Sequence, residues 1–172
     1  MKTYIHYGHI VTKPIKNGIF KPLVKQPAKF DKSLFNPIRN VGFVKPEGGY
    51  WASPIDTDYG WKDWCEAEDF RTCDENNSFK FTLKEGAKVL YIKYYTDLEG
   101  LPRDESMIHL EYGFVTYLDF EKLAEQYDAI ELDLDYDYHK LYFGLCGWDC
   151  NSILIMNPDI IVPIEEGDVN AI

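Results

Sequence analysis

The sequence predicts an α+β domain built mainly on antiparallel sheet. Three observations carry that expectation. Short β-branched and aromatic runs recur along the chain, only two or three stretches show helical spacing, and turns rich in glycine and proline separate them. At 172 residues the chain is most economically one domain, residues 1–172, able to bury roughly two thirds of its unfolded surface without covalent staples.

"TYIHYGHIV" is β-branched and aromatic, giving a first strand at about Lys2 to His9 that ends near Gly8. From about residue 12 to 39, Pro14, Pro22, Pro27 and Pro37 recur with lysines between them. This is an extended basic excursion with a short strand at "GIFKPLV", and loops of that length are usually functional or disordered. "VGFV" and "GYWAS" are short strands around a Pro-Glu-Gly-Gly turn. "GWKDWCEAEDF" spaces Trp61, Trp64, Cys65 and Glu68 at three and four residues, as an amphipathic helix does.

"SFKFTL" and "KVLYIKYY" are strands separated by the turn "KEGA". "DFEKLAEQY" is a short helix with Asp119 near its start, favourable for the helix dipole, and with Phe120, Leu123, Ala124 and Tyr127 on one side. "AIELDLD" alternates, so a strand is expected with Glu131, Asp133, Asp135 and Asp137 on a wet face and Ile130, Leu132 and Leu134 inside. "KLYFGLCGW" and "SILIM" suit central strands, and "NPDIIVPI" ends in a turn and an edge strand.

Composition excludes several classes. No apolar segment approaches the ~20 residues of a membrane helix, and no secretory leader is evident, so the four cysteines are expected as reduced thiols of a cytoplasmic protein. Metal binding is not expected. His6 and His9 lack a partner motif, and Cys146 and Cys150 with His139 match no usual zinc spacing. The net charge of −11 is unevenly spread: residues 1–45 hold nine basic residues against Asp31 alone, and residues 46–172 hold nine basic against 28 acidic ones. Either the two parts neutralise each other on packing, or an anion such as a diphosphate lies against the basic segment.

The stretch "GGYWAS", Gly48 to Ser53, is unusual for a core strand, because glycine loses the most backbone freedom on folding and offers nothing to pack. It is either a tight turn into a buried strand or the wall of a pocket for something flat. Together with "IHYGH" and "SILIMNPDII", in that order, it resembles the motif strands of the ADP-ribosyltransferase fold, in the His-Tyr-Glu branch of diphtheria-type toxins and poly- and mono-ADP-ribosyl polymerases. The resemblance covers three short patches across the chain.

The resemblance implies two packed, mainly antiparallel sheets around an NAD cleft, with NAD as co-substrate. By motif, His6 would hydrogen-bond the nicotinamide-side ribose, and the backbone of Tyr7 and Gly8 would meet the carboxamide. Tyr50 would sandwich the ring with Trp61, eleven residues on, or with Tyr59 in its place; Gly49 and Ser53 complete that wall. Lys13, Lys16 or Arg39 are candidates for the diphosphate. Ser152 stands where the family has its catalytic Glu, with Asn151 adjacent and Asp149 three residues away as the alternative carboxylate. The implied activity is mono-ADP-ribosyl transfer to an intracellular protein or nucleic-acid acceptor, as a toxin or effector would perform it. The alternatives are an inactive NAD- or ADP-ribose-binding module and an acidic interaction or inhibitor protein.

Overall fold

The β-branched and aromatic first run is realised as strand β1, Tyr4–Tyr7, buried on both faces. The computed structural model describes residues 1–8, 10–14, 20–25, 30–41, 45–107 and 115–164; for residues 10–14 and 20–25 the backbone pairing is described. Nine strands are found among these residues. They are β1, β2 (Ile10–Pro14), β3 (Phe20–Lys25), β4 (Tyr50–Pro54), β5 (Ser78–Leu83), β6 (Val89–Ile92), β7 (Ala129–Leu132), β8 (Ser152–Ile155) and β9 (Ile161–Pro163). The helices are α1 (Trp61–Ala67), α2 (Phe120–Ala124) and α3 (Tyr138–Gly144).

Seven strands form one sheet in the order β6-β7-β8-β4-β1-β5-β9, and β2 pairs with β3 in a separate two-stranded sheet. The α+β class with mainly antiparallel pairing holds: among the described residues only β6 and β7 run parallel. The two sheets found among the described residues differ in size, seven strands against two. The excursion at 12–39 is more regular than expected, since β2 and β3 pair within it.

The large sheet has an apolar cluster on each face. Alternation along β4 and β8 sends Tyr50, Ala52, Ile153 and Ile155 to one cluster, with Tyr4, Phe79 and Phe81. Trp51 and Leu154 go to the other, with Trp148, Phe120, Leu123 and Leu141. Helix α2 contributes Phe120 and Leu123, and Asp119 caps it by accepting from the Lys122 N–H at 3.1 Å.

Two expectations are corrected. "KLYFGLCGW" is not a strand: residues 138–144 form α3, because Leu141, Gly144 and Leu145 recur at helical spacing and bury one side, leaving Tyr142 and Phe143 outside. The acidic alternation does not give a wet strand face either. β7 is buried at every position and ends at Leu132, and Asp133 to Asp137 fall after it. Glu131 is only 3 % exposed and is held by Tyr4 Oη and Lys2 Nζ, each at 2.6 Å. The "VGFV" strand falls mostly on 42–44, outside the described residues.

Candidate functional site

β8, β4 and β1 are neighbours, which sets the strands bearing Ser152, Tyr50 and His6 side by side at the middle of the sheet. β1 and β4 pair only at Tyr4/Pro54 and Ile5/Ser53. Just past that pairing the His6 ring takes over: Nδ1–H donates to the Trp51 carbonyl at 2.7 Å, and the acceptor-only carbonyl fixes the proton on Nδ1. His6 also meets Tyr50 edge-on with centroids 5.6 Å apart, and Phe79 at 5.0 Å.

Tyr50 is buried among Phe30, Phe35 and Phe79, and its hydroxyl donates to the Asp31 carbonyl at 2.7 Å. Burial, and then the Asp31 charge, push its phenol above the usual tyrosine range. The two glycines before it serve a close approach within the protein itself. Gly49 has φ +68°, and a Cβ there would lie 2.6 Å from Leu154 Cδ1 and 2.7 Å from the Ile155 carbonyl; at Gly48, φ +85°, it would lie 2.2 Å from the Pro37 carbonyl. The tight-turn explanation of Gly-Gly is therefore the structural one.

The backbone of Trp61 is held at the face of β4 opposite Tyr50. Its N–H donates to Ser53 Oγ at 2.9 Å, which ties the start of α1 to the side of the strand carrying Trp51 and Ser53. Strand alternation thus sets Tyr50 on the other face of β4 from the point where Trp61 is anchored, so the anchoring gives the expected Tyr50–Trp61 sandwich no support. The indole facing the Trp61 side is Trp51, fixed from behind by Trp148 at 4.6 Å. The Lys45 ammonium lies over both, 4.2 Å from the Trp51 centroid and 5.8 Å from that of Trp61. Trp61 is stacked on Trp64 at 5.0 Å, and the Arg71 guanidinium lies 5.5 Å from its ring.

The backbone expected to meet a carboxamide is already engaged. The Gly8 N–H donates to the Asn77 carbonyl at 2.8 Å, and its carbonyl accepts from Arg71 Nη1 at 2.9 Å. The Tyr7 carbonyl accepts from Arg71 Nη2 at 3.2 Å, and the Tyr7 side chain is buried. Tyr59 accepts through its carbonyl from the Asn151 N–H at 3.0 Å. Of the cationic candidates, Arg39 forms a backbone bridge with Glu47 and exposes its side chain; Lys13 pairs in β2, and its side chain and all of Lys16 fall outside what is described.

Ser152 is buried opposite Leu132. Strand alternation puts it on the Trp51 and Leu154 side, away from His6 and Tyr50. Asn151 is fully committed, accepting from the Leu134 N–H at 2.6 Å and donating to Thr57 Oγ1 and Asp135 Oδ1. Asp149 is half-buried, and its charge bears on Lys45, Cys150 and Tyr142. Burial pushes the Cys150 thiol up to about 12, against the pull of Lys45.

A cavity of about 120 Å³ opens elsewhere, lined by Lys2, Asp56, Glu131, Asp133 and Asp135; it is too small and too acidic for a dinucleotide. No group of three or more metal-ligating side chains and no helix long and apolar enough to cross a membrane occurs among the described residues. Comparison with protein-family models, with curated proteins and with solved structures gave no match.

Sequence reasoning missed Trp51, Lys45 and Arg71. The first was legible, because a strand that buries Tyr50 on one face must present Trp51 and Ser53 on the other. The two cations carry no local signal. Lys45 and Arg71 reach the same Trp61 indole from positions 26 residues apart in the chain.

Proposed function

We propose that this chain binds NAD and transfers a single ADP-ribose unit to an intracellular protein or nucleic-acid acceptor, releasing nicotinamide. The observation that carries the reading is the adjacency of β1, β4 and β8 with His6 and Tyr50 in ring contact, because it joins three sequence-distant patches in one place. Nicotinamide is a flat ring with a primary amide, and it needs an aromatic face and polar backbone groups around it. Trp61 supplies a face in this reading, and His6 and Tyr50 form the support behind the strand pair. Leaving-group departure builds positive charge on the ribose, which a nearby carboxylate stabilises. Asp149 is the carboxylate assigned that role, with Ser152 neutral on β8.

A second reading, NAD or ADP-ribose binding without transfer, is favoured by that buried, neutral Ser152. Incubation with NAD labelled in the adenylate half, alone and with cell lysate, separates the two. Label on protein or nucleic acid that disappears in Asp149→Asn supports transfer. A ligand-dependent rise in melting temperature without label supports binding alone, and the absence of both removes both readings.

A further inference from the structure

We propose that Trp51 and Trp61 form a binding site for an organic cation without N–H groups, and that the Lys45 ammonium is the resident occupant that closes it. The inference deepens the reading above, and rests on it only for naming the pyridinium of NAD as one such cation.

Lys45 lies over both indoles at 4.2 and 5.8 Å, yet among the described residues it forms no hydrogen bond or ion pair. An ammonium carries three donors and is strongly hydrated. Held against two rings and half-buried, it gains the attraction of their negative faces and loses water from its N–H groups. Burial accordingly holds its amine below the usual lysine range, against the opposing charges of Cys150 and Asp149.

A pyridinium or quaternary ammonium offers the same charge with no donor to leave unsatisfied, so it matches the site better than its present occupant. The walls are fixed: Trp148 backs Trp51, and Trp64 and Phe70 pack on Trp61. Asp149 supplies long-range negative charge. Entry of an external cation requires only that the Lys45 side chain swing out to water, which the flexible four-carbon stem allows. The device is an internal competitor that lowers affinity until a better cation displaces it.

The test uses the full chain and its Lys45→Met variant, with Lys45→Gln as a second variant should Met alter the near-ultraviolet circular dichroism. Tryptophan fluorescence is titrated with 1-methylnicotinamide, with tetramethylammonium and with neutral nicotinamide. Saturable quenching by a cation, about tenfold tighter in the variant than in the parent and absent for neutral nicotinamide, is the expected result. A gain shared by both cations identifies charge without N–H as the requirement; a gain confined to 1-methylnicotinamide identifies a pyridinium site. The gain should vanish when Trp61→Leu is added.

No saturable quenching in either folded variant, or equal response to neutral nicotinamide, overturns the proposal. The two readings fail separately. If NAD neither binds nor transfers while the cations still bind, the ADP-ribosyl reading falls and the cation site stands. If the cations fail to bind while NAD binds the parent and the Lys45 variants alike, the cation site falls and NAD binding stands.

Discussion

His6 donates its Nδ1–H to the Trp51 carbonyl across 2.7 Å, at the point where β1 and β4 cease to pair. A side chain thus continues what a backbone ladder began, and it ties the position of the imidazole to that of the tryptophan strand. His6→Ala removes this bond and the ring contacts, and is expected to cost about 2–3 kcal/mol. His6→Asn, with an amide nitrogen near the place of Nδ1, should recover part of that. Urea unfolding measures both, and label transfer from NAD should be lost in both. Wild-type stability in His6→Ala would show that the bond is not holding the strands.

Tyr50 divides its contribution between ring and hydroxyl. Tyr50→Phe keeps the packing against Phe30, Phe35 and Phe79 and loses only the bond to Asp31, at about 1 kcal/mol. Tyr50→Ala should cost about 3–5 kcal/mol. A residue that served only as an open ligand wall would give near wild-type midpoints for both, so the size of the difference reports how far Tyr50 belongs to the core.

Gly49 and Gly86 make a controlled pair, with φ +68° and +82°. Alanine at Gly86 meets nothing within 4 Å and should cost only the left-handed backbone term of about 1–2 kcal/mol. Alanine at Gly49 adds a collision with Leu154 and the Ile155 carbonyl, and should destabilise by several kcal/mol more. Thermal unfolding of the two variants side by side is sufficient, and equal losses would remove the close-approach account of Gly-Gly.

Asp119 gives a pH dependence with a definite sign. Burial works to raise its carboxyl, but the bonds from Asn40 and Lys122 outweigh it, and the folded value lies below the usual range. The unfolded chain therefore takes up this proton first as the pH falls. The contribution is complete well above about pH 4 and is lost as the pH drops through the lower folded value. Asp119→Asn should melt below wild type at pH 7, with the gap narrowing from pH 4 to pH 2. A gap that stays constant over that range would exclude the ionised form as its source.

Much of the local structure was legible in the residues. β1, β4, β5 and β8 follow from short β-branched, aromatic or apolar runs bounded by turns, α1 from three-and-four spacing, and Asp119 marked the start of α2. The failures share one cause. "KLYFGLCGW" is apolar nearly throughout, so neither period shows, and its secondary structure was settled by which residues found a core; Leu141 and Leu145 did, and Phe143 did not. Glu131 looked solvated because alternation predicts faces without saying what will cover them, and Tyr4 and Lys2, more than 120 residues away, cover this one.

By itself the sequence determined the α+β class and the mainly antiparallel pairing; that His6 and Tyr50 would be neighbours was only what the resemblance implied. Class and pairing were legible because they depend on periods of two and 3.6 residues, which are local. Tertiary structure alone decided that β5 and β6, nearly consecutive in the chain, stand with four strands between them. It alone decided that the backbone of Trp61 is anchored on the Trp51 and Ser53 side of β4, and that Lys45 lies over the Trp51 and Trp61 indoles. Those outcomes depend on strand order and on which face of β4 each helix covers, and both are fixed by long-range burial for which no single segment carries a signal.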